Sequence, residues 1–263
     1  MESAYVLHTR PWRETSLMAE LFTPGHGRVG VIARGARRGR RGAAGSLQPF
    51  TRLRCEWRGR GELRTLTVAE ADRSLWLSGE VLYAGLYLNE LLMRLLQRED
   101  AHPGLFARYA RTLELLASGG GLEPVLREFE LGLLDELGYG FPLDQDADGM
   151  PLDPAGDYRL DPDAGLVRVA DDQIGGRSGG VADRIERGAT SALRLPGADL
   201  LRLACGDLEA VAVRRTAKLL TRTALAPHLG PRPLRARALF ARAARALPAT
   251  VPDDEQEGGA GVD

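Results

Sequence analysis

Residues 1–80 alternate apolar and polar side chains along short stretches that end at turn-forming residues. An alternation with a period of two is typical of β-strands that bury one face. The stretch 51–57, for example, places Leu53, Cys55 and Trp57 on one face and charged residues on the other. The predicted strands are 3–9, 16–23, 27–35, 51–57 and 62–71. Five short strands this close together predict a small barrel or sandwich.

From residue 81 the apolar residues recur at helical spacing, beginning with Leu82, Leu86 and Leu92. Further helices are predicted at 104–118, 123–138, 188–195, 207–226 and 233–247. The segment 123–138 begins with Glu and Pro and ends at a glycine, which are common helix boundaries. Strands followed by helices indicate an α+β protein.

The rest of the chain is less regular. Residues 142–185 are rich in Asp, Gly and Pro, which predicts an irregular insertion with one hairpin at 158–170. The acidic, Gly-rich tail 248–263 is predicted to be disordered. We therefore predict a multi-domain chain, with a five-stranded barrel at 1–80, a mainly helical domain at 81–247 and the tail.

Charge is segregated along the 263 residues, although the net charge is only −1. Residues 1–80 carry 14 arginines against 8 acids, and residues 201–248 carry 10 bases against 2 acids. The middle of the chain, 81–200, carries 21 acids against 11 arginines. Two basic ends around an acidic middle indicate binding partners rather than a particular fold.

Several kinds of chemistry lack their sequence signals. Cys55 and Cys205 are too few for a disulfide framework or a cysteine zinc site, and both are expected to be buried. Lys218, the single lysine, is not in a phosphate-binding loop, and the four histidines show no ligand spacing. No secretory signal or membrane-spanning segment is recognisable, so a cytoplasmic protein without cofactors is expected.

An acidic loop at 144–155 partly matches a calcium-binding EF-hand loop. Asp144, Asp146, Asp148 and Gly149 occupy its first, third, fifth and sixth positions. Calcium binding also needs a bidentate glutamate at position twelve, where this chain has Ala155. A solvated loop without metal is therefore the favoured interpretation.

The most basic stretch is ARGARRGRRGAAG at 33–45, which has no nearby acid and no apolar anchor. If the barrel is an OB-fold, ligands contact its central strands and the loops after strands one and four, here 8–15 and 58–61. Arginine offers charge for phosphates and a plane for stacking, and tryptophan stacks on bases. The candidate DNA-binding residues in these three loops are Arg10, Trp12, Arg13, Arg34, Arg37, Arg38, Arg40, Arg41, Arg58 and Arg60.

Any one of these loops alone is equally consistent with a solvated surface. Three basic loops at one end of a barrel favour nucleic acid. A second candidate DNA contact is the basic C-terminal segment, although a solvated helix face is the usual meaning of such a pattern. Its candidate residues are Arg214, Arg215, Lys218, Arg222, Arg232, Arg235 and Arg237.

Several motifs together resemble the RecO family of bacterial recombination mediators. They are HTRPWRETSLMAELFT, GRVGVIARGAR, SLQPF, LYLNELLMRLL, EPVLREFELGLLDELGYG and ALAPHLGPRPLRARALF. The resemblance extends to about residue 247 and implies an N-terminal OB-fold followed by a helical domain. It also implies a non-enzymatic protein that binds single- and double-stranded DNA and anneals complementary strands. With its partner RecR, such a protein helps place RecA on strands coated by the single-stranded-DNA-binding protein SSB.

The resemblance further implies that the helical domain binds the acidic C-terminal tail of SSB, which ends in an aromatic residue with a free carboxylate. An apolar pocket with a cation at its rim suits that ligand. Leu126, Phe129 and Leu133 share one face of the helix at 123–138, and Arg127 is its only base. At this spacing the apolar residues are more often part of a core, and it is the resemblance that makes Arg127 the preferred anchor. Some family members carry a four-cysteine zinc module near 142–180, but this chain has no cysteine there.

Two other functions remain open from the residues. One is a protein-docking adaptor whose barrel binds a protein partner rather than DNA. The other is a metal-dependent nuclease, which rests only on the acidic loop at 144–155. Steep weakening of binding by salt is expected for DNA and not for an apolar docking site.

Overall fold

The computed structural model describes residues 1–38, 45–169 and 194–246, with side chains to residue 240. Its N-terminal part is a closed barrel with the strand order β1-β2-β3-β5-β4, in which β3 and β5 are parallel and the other pairs antiparallel. The barrel strands are β1 Glu2–Trp12, β2 Ser16–Thr23, β3 Gly27–Ala33, β4 Thr51–Arg58 and β5 Leu63–Ser74. A closed five-stranded barrel followed by helices confirms the predicted OB-fold and helical arrangement.

The barrel has its own core of alternate inward side chains. This core includes the completely buried Val6, Leu21, Val31 and Leu53. Leu47, from the β3–β4 connection, is also completely buried in it. Burial, helped by the nearby Glu2 carboxylate, raises the pKa of the Cys55 thiol from its ordinary value to about 12, so this thiol stays protonated. Cys205, which follows a short helix, is exposed, so its predicted burial is wrong.

Strand β1 runs three residues beyond its predicted end at Thr9. It pairs with β2 as far as Trp12 and Ser16, but with β4 only from Glu2 to Tyr5. Beyond Leu7 no described strand pairs with this edge, so Pro11 can sit there without breaking a ladder hydrogen bond. The predicted loop residues Arg10 and Trp12 consequently lie on a strand.

The helices of the described residues mostly follow the predicted segments. They are α1 Gly79–Leu95, α2 Pro103–Ala117, α3 Leu122–Glu136, α4 Gly197–Ala204, α5 Val211–Leu225 and α6 Arg235–Ala246. The predicted helix at 188–195 lies mostly outside the described residues, at 188–193, and its last residue, Leu195, belongs to the short strand Leu195–Pro196. No helix in the described ranges is long and apolar enough to cross a membrane.

The predicted hairpin at 158–170 is confirmed over its described residues by β6 Asp157–Asp161 and β7 Gly165–Arg168, which form a small sheet with β8 Leu195–Pro196. Buried Tyr158, Leu195 and Leu200 join this sheet to α4 and α5. Three arginine–aspartate pairs surround it: Arg168–Asp153 at 2.7 Å, Arg194–Asp157 at 3.2 Å and Arg159–Asp161 at 3.4 Å. Apolar packing holds the sheet, because exposed ion pairs of this kind contribute little to stability.

Asp146, one of the acids of the loop at 144–155, shapes a turn. Asp146 Oδ1 accepts hydrogen bonds from the backbone N–H groups of Asp148, at 3.0 Å, and Met150, at 2.9 Å. Asx turns of this kind are a common structural use of aspartate. Across the described ranges no group of three or more His, Cys, Asp and Glu side chains is placed to hold a metal ion.

The helices pack against the outer face of the barrel. Asn89 Nδ2 of α1 donates to the Leu7 carbonyl at 2.8 Å, and the Tyr109 hydroxyl of α2 donates to Asn89. Arg98 pairs with Glu20 of β2, and both groups are largely removed from solvent. The helical region therefore covers the middle of the β1–β2–β3 face.

A glycine-to-alanine change at Gly27 should destabilise this junction. Gly27 has φ 57°, and a Cβ atom there would lie 1.7 Å from the Asp100 carbonyl oxygen. The backbone conformation alone costs about 1–3 kcal/mol in the free energy of unfolding, measurable by urea denaturation. Gly25→Ala is the matched control, because its Cβ would meet only the flexible end of Glu2, at 3.0 Å. Equal stability of the two variants would contradict this explanation.

Candidate nucleic-acid interface and helical pocket

One end of the barrel carries a group of exposed arginines. We call it the arginine end and define it by Arg10, Arg13, Arg34, Arg37 and Arg38. The β1–β2 turn is tied to the β3–β4 connection, since the Arg37 backbone N–H donates to the Thr15 carbonyl at 2.9 Å. The Arg37 guanidinium also donates to the Glu14 carbonyl, at 3.3 Å. These contacts bring two of the predicted basic loops together.

The cations of the arginine end are available to a ligand. None of its five arginines pairs with a carboxylate within the described residues, and all five are exposed. Arg10 Nε lies 3.1 Å from the sulfur of Met18, which is buried. Trp12 is half-buried beside the turn. Arg40 and Arg41, also predicted to bind DNA, lie outside the described residues.

The third predicted loop is at the opposite end of the barrel. Strand β5 runs parallel to β3, with Leu63 beside Gly30, so the β4–β5 loop lies where β3 begins. The arginine end lies where β3 ends. Arg58 and Arg60 are exposed on this other loop. The expectation that three basic loops share one end is therefore wrong for Arg58 and Arg60, because it depended on a strand direction that the sequence does not specify.

Trp76 is a residue that the sequence reasoning missed. Its side chain is 93% exposed, the highest fraction among the exposed large apolar residues. It follows β5, whose last residue, Ser74, pairs with Thr51 at the start of β4. One feature of the sequence could have identified it. Trp76 lies in the short linker between β5 and α1, where a large apolar side chain follows neither the alternation of the strand nor the spacing of the helix.

A pocket of about 780 Å³ lies between α1, α3, α5 and α6. We call it the helical pocket. Its lining combines apolar side chains with an unusual number of cations. It is lined by Glu80, Tyr87, Gly121, Leu122, Glu123, Pro124, Leu126, Arg127, Glu130, Arg214, Lys218, Thr221, Arg222, Arg237 and Phe240.

Of the residues predicted to bind the SSB tail, Leu126 and Arg127 line the helical pocket, and Phe129 and Leu133 do not. Phe129 and Leu133 are buried in the core shared by α1, α2 and α3, where Phe129 packs edge-on against Tyr109 at 6.4 Å. This corrects the prediction for these two residues. Their helical spacing serves the core, which was the alternative that the spacing left open.

Arg127 is a buried residue rather than a free cation at a rim. Its guanidinium lies 3.0 Å from Glu130 Oε1, and the Glu130 carboxylate also accepts hydrogen bonds from the hydroxyls of Tyr87 and Thr221. Burial, and then the Glu130 charge, raises the pKa of Tyr87 above its ordinary value. Arg127 Nε has no hydrogen-bond partner among the described residues. Arg127 thus belongs to a polar network in which Glu130 balances its charge.

Helix α5 presents Arg214, Lys218 and Arg222 to the helical pocket, as their spacing of four residues predicts, and α6 adds Arg237. Glu90 of α1 accepts the backbone N–H groups of Arg235 and Ala236 and so fixes the start of α6. The remaining candidate cations, Arg215, Arg232 and Arg235, are exposed outside the pocket. Tyr87 and Phe240, which complete the pocket wall, come from helices too distant in sequence to be grouped beforehand.

Comparisons with known proteins divide the chain at the same place as the fold. Residues 1–75 match the family model "Recombination protein O N terminal", and residues 77–238 match "Recombination protein O C terminal". The DNA repair protein RecO of Pseudomonas aeruginosa (strain LESB58) is 48% identical over 241 residues, covering 91% of this chain and 94% of that protein. DNA repair protein RecO of Stutzerimonas stutzeri (strain A1501) is also 48% identical over 241 residues, covering 91% and 92% of the two chains.

Proposed function

Because the chain belongs to the RecO family of DNA repair proteins, we propose that it is a non-enzymatic mediator of recombinational repair. It binds single- and double-stranded DNA, anneals complementary strands and, with RecR, helps to load RecA on strands coated by SSB. A protein that acts on DNA in this way is cytoplasmic and associated with the nucleoid. No catalytic step is assigned to any of its residues.

The observation that carries the proposal is the arginine end. Five exposed arginines without carboxylate partners in the described residues form a surface suited to phosphates. Trp12, half-buried beside the β1–β2 turn, offers an aromatic face to bases. Proteins that bind single strands without sequence preference combine a positive surface with aromatic stacking. Arg58 and Arg60 stay candidate contacts, now at a separate location.

The helical pocket supports binding of the SSB tail. Leu122, Leu126 and Phe240 suit an aromatic end, and Arg214 and Arg222 suit carboxylates. Arginine forms strong charge-assisted hydrogen bonds with carboxylates. We therefore assign the pocket-lining cations to the tail, and retain the exposed Arg215, Arg232 and Arg235 as the candidate second DNA contact used in annealing.

A salt titration of single-strand binding tests the DNA-binding proposal. The logarithm of the association constant should fall linearly with the logarithm of salt concentration, by about 0.7 for each phosphate contact. Four or more contacts would give a slope steeper than about −2.8 in fluorescence anisotropy with a labelled oligonucleotide. A slope close to zero would instead favour the alternative function, an adaptor whose barrel binds a protein partner.

A further inference from the structure

Glu123 lies in the first turn of α3, at the rim of the helical pocket. Its Oε2 atom is 3.6 Å from Arg214 Nε, and its Oε1 atom is 3.4 Å from Lys218 Nζ. Both cations belong to α5 and lie one helical turn apart. One carboxylate of the protein itself therefore bridges two of the pocket's cations.

We propose that Glu123 is an internal competitor of the pocket's ligand, occupying the position that a carboxylate of an acidic peptide takes when it binds. This inference rests on the proposed peptide-binding role of the helical pocket. A ligand carboxylate that pairs with Arg214 or Lys218 must displace Glu123 or bind beside it against charge repulsion. Either route lowers the affinity for an acidic ligand.

Displacement of Glu123 is physically feasible because its own side chain is half exposed and its pair with Lys218 is open to solvent, whereas its other partner, Arg214, is only 21% exposed. The side chain of Lys218 is 61% exposed and that of Glu123 is 50% exposed. Pairs of this kind contribute little to stability, so exchanging one partner for another has a small cost. The Arg127–Glu130 pair differs, since its side chains are only 9% and 1% exposed and its atoms have no comparable access to solvent.

The same contact makes the pocket selective. Peptides with a single acid must overcome Glu123 with one new ion pair, whereas a peptide with several acids can also engage Arg222 and Arg237. Glu80, on the same pocket wall, adds a second negative charge. Weakly acidic chain ends are thus disfavoured, and multiply acidic ones that end in an apolar residue are accepted. Discrimination of this kind uses repulsion of the wrong ligand as well as attraction of the right one.

The test is the substitution Glu123→Gln, with binding of a fluorescent acidic peptide that ends in phenylalanine with a free carboxylate. The variant should bind the peptide about twofold to tenfold more tightly, the range for losing one or two exposed ion-pair competitors. Glu128→Gln is the matched control. It removes the same charge from the same helix, but Glu128 lies on a different surface, against α2. Its affinity for the peptide should equal that of the wild type.

A second measurement uses the partner cation. In an Arg214→Ala background, Glu123→Gln should give a smaller gain than in the wild type, because one of the two displaced contacts is already absent. Unchanged or weaker binding by Glu123→Gln overturns the inference, and so does an equal gain in Glu128→Gln. If the wild type and all variants fail to bind the peptide, the proposed role of the pocket is itself wrong, which is a distinguishable result.

Discussion

Replacing Arg127 by alanine should lower the free energy of unfolding by about 3–5 kcal/mol, the cost of removing one partner of a buried ion pair. Glu130, which is completely buried, would keep its charge or take up a proton without its guanidinium partner. Among the described residues, the hydroxyls of Tyr87 and Thr221 would remain as its hydrogen-bond donors. Urea denaturation of the wild type and variant measures this loss.

Arg215→Ala is the matched control for Arg127→Ala, since Arg215 is an exposed arginine on α5 without a carboxylate partner in the described residues. It should leave stability almost unchanged. Glu130→Gln combined with Arg127→Met removes both charges and should recover part of the stability. If Arg127→Ala is as stable as the wild type, the buried Glu130 carboxylate does not need the Arg127 guanidinium to offset its charge, and this explanation is wrong. Because Arg127→Ala is expected to destabilise the fold, weaker peptide binding by that variant could reflect unfolding. Arg222→Ala tests peptide binding more directly, since Arg222 is an exposed cation of the helical pocket.

Replacing Arg34, Arg37, Arg38, Arg40 and Arg41 together by alanine should weaken single-strand binding by more than about tenfold at low salt, because up to five phosphate contacts are lost. The salt dependence should flatten as well, by up to about 3.5 in slope if all five arginines bind phosphates. Stability should hardly change, since the described members of this set are exposed and pair with no carboxylate there. Anisotropy titrations at several salt concentrations give both quantities.

A smaller variant offers a sharper comparison. Replacing only Arg34, Arg37 and Arg38 removes three charges that the structure describes. The control removes three arginines that are each paired with an aspartate on the small sheet: Arg159, Arg168 and Arg194. Both variants lose the same net charge. If they weaken DNA binding equally, general electrostatic attraction explains the effect and the arginine end is not a specific contact surface.

The strands and most helices were predictable because their side chains repeat with the period of the element that they form. Leu53 and Cys55 face the barrel core as their alternation indicates. The end of β1 was not predictable, since Pro11 suggests a loop unless one knows that the strand has a free edge there. Helix α4 has only eight residues, so the helical spacing of Leu200 and Leu203 is too short a repeat to predict it.

The candidate sites were predictable in composition but only partly in arrangement. Basic loops are visible in the sequence, yet the location of Arg58 depends on β5 pairing in parallel with β3. Arg127 and Glu130 are three residues apart, so their pairing was readable from helical spacing. The approach of Thr221, which completes their network, depends on how α5 packs against α3. Contacts of that kind follow from tertiary packing and leave no local signal.

The packing of the helices on the barrel has a consequence for cooperativity. Tyr5, Leu7 and Phe22 belong to barrel strands, but they are buried in the same core as the leucines of α1, α2 and α3. An isolated barrel would expose these three side chains to water as an apolar patch, which would promote self-association. The stabilities of the barrel and the helical region are therefore linked. A change that destabilises the packing of α1 or α2 also lowers the free energy of local opening of β1 and β2. The strand that carries Arg10 is only as rigid as the helices behind it.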